Sequence, residues 1–107
     1  MGSAEEADAQ TLRHYFNIGQ IEQRAQRGEL IKAVQPGSEH PAPAAKGEPP
    51  GTISHIVNYF ESNRQLVAIA HEYVRPDGSL GASGRPDPKW LRVDNRILKL
   101  RRGKSKP

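Results

Sequence analysis

The chain has 107 residues, a net charge of +4, 35% hydrophobic residues and no cysteine. That length suits one domain with a lean core. The lack of cysteine removes disulfides, thiolate catalysis and Cys-based zinc sites, and it fits a reducing cytoplasm. No apolar run approaches the roughly 20 residues that cross a bilayer. The opening MGSAEEADAQ has neither the basic start nor the apolar centre of a secretory signal. A cytoplasmic protein without membrane contact or cofactor is therefore expected.

Charge is unevenly spread. Residues 1–74 carry six Lys/Arg against nine acids, whereas residues 75–107 carry ten against Asp77, Asp87 and Asp94. A one-sided basic region attracts RNA or another polyanion, or an acidic protein partner. Part of the excess is a solvated tail, RRGKSKP, in which disorder is expected over 101–107.

In chain order, residues 1–34 read as an N-terminal helical segment in one or two pieces. Ser3 and Glu6 have the spacing of a capping box, and Asn17 and Gln20 repeat it with Phe16 and Ile21 in staple positions. Gly19 and Gly28 interrupt the second piece. Residues 35–51, QPGSEHPAPAAKGEPPG, hold five of the nine prolines and read as a linker or long loop. ISHIVNYF (53–60) and QLVAIAHEYV (65–74) read as strands joined by an ESNR turn. Pairing Phe60 with Gln65 places Ser54 opposite His71 and His55 opposite Ala70, so the two histidines face opposite sides unless a bulge intervenes. LRVDNRILKL (91–100) reads as a closing strand or a hairpin around Asp94-Asn95. The expected fold is α+β: an N-terminal helix or helix pair on a three- or four-stranded antiparallel meander spanning 52–100.

The run from His71 to Lys89 is the richest in chemistry. Pro76-Asp77-Gly78 is a turn signal, and Gly78, Gly81 and Gly84 recur every third residue. Successive amides in such a loop can form an anion-binding nest. Arg75, Ser83, Arg85 and Lys89 are the candidate phosphate ligands; the plain alternative is a tightly turned connection. The loop is neither a Walker loop nor a dinucleotide fingerprint. Ser79 and Ser83 do not sit in a nucleophile elbow. The four histidines are scattered, none at i, i+4 helical spacing, so no metal site is expected. RNA cleavage without a metal needs a base, an acid and cations. His71, His55 and Glu72 are the candidates for acid and base. Asp87-Pro88 reads as a turn. Trp90 reads as an anchor of the core beneath the loop, with stacking on a base as its functional alternative.

Helices followed by a small antiparallel sheet bearing His, Arg, Ser and Lys form a layout similar to small toxin-type ribonucleases. This architectural likeness transfers no catalytic residue. The expected function is a small basic nucleic-acid-acting protein, in its sharpest form an endoribonuclease of the toxin type. The alternative is a non-catalytic interaction module of the antitoxin, immunity or phage-inhibitor kind that presents the 75–89 loop. Removing a phosphate contact at Arg75, Arg85 or Lys89 should flatten the slope of log affinity against log salt by about 0.7–0.9. Deleting residues 101–107 is the control: if only that deletion abolishes binding, the attraction belongs to the tail.

Overall fold

The computed structural model describes residues 4–101. Within them, α-helix is confined to α1 (Ala9–Ile18) and α2 (Ile21–Gln26). The segment read as wholly helical instead opens with a strand, β1 (Ala4–Ala7), and ends in another, β2 (Ile31–Val34). The chain continues through β3 (His40–Pro41), a 3₁₀ turn (Ala44–Lys46), β4 (Ile53–Phe60), β5 (Leu66–Val74), β6 (Asp87–Val93) and β7 (Arg96–Leu100). These build one mixed sheet of seven strands among the described residues, in the order β1-β7-β6-β5-β4-β2, with β3 also paired to β4. The expectation of helices on a three- or four-stranded antiparallel meander is thereby overturned. Both ends of the sheet come from segments that sequence pattern assigned to helix or linker, and β1 runs parallel to β7.

Local chemistry explains where the helices stop. Asp8, not Ser3, caps α1: its Oδ1 accepts the Thr11 amide at 2.8 Å. Glu6 of the supposed capping box lies in β1, and Ser3 falls outside the described residues. The break between the helices falls at Gly19–Gln20, where Gln20 adopts a left-handed conformation. Gly28, at φ +84°, ends α2, and the amides of Glu29 and Leu30 turn back to the Arg24 carbonyl. The chain then leaves as β2.

Strands β4 and β5 pair Phe60 with Leu66, then slip by one residue, so that Ile56 faces His71 and His55 faces Glu72. The pairing begins one residue later than the sequence suggests, and a bulge adds another. The two offsets together preserve parity. His55 and His71 face opposite sides of the sheet, in a register different from the predicted one.

The inner face of the sheet carries Val57, Tyr59, Ala68, Ala70, Leu91 and Leu98, which pack against Leu12, Phe16 and Ile21 of the helices. The same face holds a buried polar chain. Tyr59 Oη donates to Glu22 Oε1 at 2.6 Å. Lys32 Nζ bonds both Glu22 oxygens and, at 2.7 Å, Glu72 Oε2. His55 Nε2 meets Glu72 Oε1 at 2.9 Å. Burial and the Glu22 carboxylate hold the Tyr59 phenol protonated far above its ordinary range. Lys32 joins the two carboxylates, so removing it strands a buried charge. Lys32→Met is expected to lower unfolding free energy by about 3 kcal/mol, read from urea denaturation. Arg96→Ala, which breaks an exposed pair with Glu5, should leave the midpoint unchanged.

Candidate functional site

On the outer face, β3, β4 and β5 bring His40, Ser54 and Tyr73 into one row, and β4, β5 and β6 bring Ile56, His71 and Asp87 into the next. Ser54 is buried, and its Oγ lies 2.7 Å from His71 Nε2. Tyr73 meets the His71 ring edge-on, with centroids 4.5 Å apart. Lys89 is the extra residue of a bulge in β6, and its Nζ reaches Asp87 Oδ2 at 2.9 Å.

Two clefts share His71, Tyr73 and Asp87 as common wall. The larger, about 440 Å³, also presents Lys46 and Lys89. The smaller, about 220 Å³, also presents Arg13, Ser83 and Arg85. Cations from α1, the 3₁₀ turn, the 75–86 loop and β6 thus border the imidazole, together with the carboxylates of Glu48 and Asp87, and Asp87 pairs with both Lys89 and Arg13. Burial, then the charge of Lys89, push the His71 pKa below the ordinary 6.5; Asp87 opposes this, while His55 and His40 add to it. His71 is therefore neutral at neutral pH and able to accept a proton.

The glycine-rich loop is built differently from the expected open nest. Its turn is self-contained: Asp77 Oδ1 accepts from the Ser79 amide and hydroxyl. Glu48 Oε1 accepts from Arg75 Nε and Oε2 from the Ala82 amide, each at 2.8 Å. A side chain on Gly81 would crowd the Glu48 carboxylate and push it away from Arg75 and the Ala82 amide. The anion in this loop is the chain's own carboxylate.

The residues singled out from sequence therefore divide. His71, Ser83, Arg85 and Lys89 converge on the two clefts. His55 and Glu72 bond each other on the inner face, on the far side of the sheet from His71. Arg75 is engaged with Glu48. Asp87, read as a turn residue, opens β6 opposite His71. Trp90, read as a core anchor, is only part-buried and lies outside the core cluster. Ser54, Tyr73, Lys46 and Arg13 were missed as site residues. For Ser54 a signal existed, since the predicted register already set it opposite His71. Lys46 and Arg13 carry none, because long-range packing alone brings them in.

Among the described residues, no cluster of three or more His, Asp or Glu is arranged to hold a metal ion, and no helix is long and apolar enough to cross a membrane. Comparison with protein-family models, with curated proteins and with solved structures finds no match to this chain.

The Arg75 and Ala82 hydrogen bonds hold the Glu48 carboxyl below its ordinary 4.5. A depressed carboxylate pKa stabilises the folded loop above the unfolded value, and that stabilisation is lost as pH falls through the folded one. The Ala82 amide should therefore stay hydrogen-bonded at pH 4.5 and titrate only below it, as read from its amide proton shift. In Glu48→Gln this titration should disappear.

Proposed function

We propose that this protein acts on RNA, and that the His71 clefts hold the phosphodiester it cleaves. One observation carries the reading: a neutral imidazole fixed by a buried hydroxyl between two clefts rimmed with Lys46, Lys89, Arg13 and Arg85. Phosphodiester transfer through the 2′-hydroxyl needs a base beside the nucleophile and positive charge around the phosphoryl oxygens. His71 supplies the first, and the cations border it.

In the proposed reaction, His71 Nε2–H donates to Ser54, which leaves Nδ1 as the basic atom. Nδ1 takes the 2′-hydroxyl proton while O2′ bonds to phosphorus and the P–O5′ bond breaks. Lys89, Lys46, Arg85 and Arg13 neutralise the charge that builds on the non-bridging oxygens. The departing O5′ needs a proton. Solvent water in the open clefts supplies it; His40 lines neither cleft, and its Nδ1–H donates to the Ser38 carbonyl at 3.1 Å, which leaves Nε2 of the neutral ring without a proton to give. His55 and Glu72 have structural work on the inner face and take no part.

Purified protein is expected to degrade RNA on an integrity gel and to spare an all-deoxy strand of the same sequence. His71→Ala should lower the rate about 10²–10⁴-fold. The acid limb of the pH–rate profile should inflect below 6.5, because the base works only when neutral and its pKa is depressed. Intact RNA, together with harmless expression and co-purification of a protein partner, would instead assign the chain to the non-catalytic interaction class.

A further inference from the structure

The outer face continues beyond the clefts, across the strands from His71. Ile69 pairs with Trp90, Trp90 with Lys99, and Arg92 with Ile97. Phe60 and Ile31 extend the same face over β4 and β2. Core packing is confined to the opposite side, where α1 crosses β6 and β7. Phe60, Ile69, Trp90 and Ile97 are all only part-buried, and Ile31 is 52% exposed.

This surface is largely apolar, interrupted by Asn58 opposite Ile69, and it is not uncharged. Arg92 lies over the Trp90 ring, 5.8 Å from its centroid. Lys99 flanks Trp90 from the next strand, and Lys89 precedes it in the bulge. Against them stands Glu6, opposite Lys99 at the sheet edge and 3.9 Å from Arg101. Aromatic rings interleaved with cations are the surface chemistry that stacks unpaired bases and tracks their phosphates. A duplex, whose bases are already stacked on each other, offers such a platform no free face.

We infer that the Trp90–Ile69–Phe60 face, with Arg92 and Lys99, is a base-stacking platform that makes single-stranded polynucleotide the substrate class. The inference rests on the phosphodiester reading of the His71 clefts, which lie on the same face. A strand lying with a phosphate beside His71 sets its neighbouring bases across β5 and β6 toward Trp90.

Trp90 is the chain's single tryptophan, so intrinsic fluorescence reports this face alone. The probe is an all-deoxy oligothymidylate of about ten nucleotides, which lacks the 2′-hydroxyl and so separates binding from cleavage. Saturable quenching by this single strand, and much weaker quenching by a duplex of equal length, is the expected result. Binding of a labelled strand, followed by anisotropy, should weaken about 5- to 100-fold in Trp90→Ala. In Lys99→Glu, a change at an exposed position, the salt slope should flatten by about 0.7. Absence of quenching while RNA is still cleaved overturns the platform and leaves the cleft reading standing. Quenching with RNA left intact upholds the platform and overturns the cleavage. Equal quenching by duplex overturns the platform, as does sedimentation showing a dimer that an oligonucleotide does not dissociate and in which Trp90 is shielded.

Discussion

A carboxylate buried under a sheet must be paired, and the pairs that Glu72 takes organise this fold. Its two oxygens are divided between His55 of the neighbouring strand and Lys32 of β2. Lys32 in turn holds Glu22 of α2, which accepts the phenol of Tyr59. One chain of hydrogen bonds thus connects β5, β4, β2 and the second helix. Each link is directional, so it fixes register where apolar contact alone would allow sliding. The apolar core lies beside it and is small, as expected for a chain of this length. The network's cost is desolvation, offset only while every member is present.

The same strands carry the candidate site on their other side. Glu72 and His71 are neighbours in sequence and point to opposite faces, as any two successive strand residues do. Anchoring Glu72 from below therefore sets the direction of His71 above. The Ser54 hydroxyl adds a second constraint on the imidazole from β4, the strand that also supplies His55 to the network. His55 and His71 thus occupy opposite surfaces of the same two strands.

Much of the centre of the molecule was legible from sequence. The β4–β5 hairpin, the Asp94-Asn95 turn and the opposed directions of His55 and His71 all follow from local alternation and turn chemistry. The periphery was not legible. Ala4–Ala7 has no strand propensity and is a strand because β7 offers it an edge. Ile31–Val34 read as helix because its apolar residues extend a helical stripe, and the left-handed Gly28 that diverts it is a backbone event. The loop was read as a phosphate site, and its Arg75 side chain and Ala82 amide instead hold Glu48, 27 residues before Arg75 in the chain. Composition reveals that a nest can form and says nothing of what fills it. Trp90 was misplaced for a similar reason: a lone tryptophan usually buries itself, and here the helices cover only the other face.

The parallel pairing of β1 with β7 has a consequence for how the molecule is made. Ala4 lies opposite Ile97, so the first described strand cannot find its partner until the last one exists. Helix α1 is synthesised early, yet it packs on β6 and β7 and has no surface to bury against until they are formed. Contacts this remote in sequence make folding slow and place sheet closure at the end of it. Helix α1 therefore stays unsupported while the strands between are made, and the sheet closes only when β1 and β7 meet.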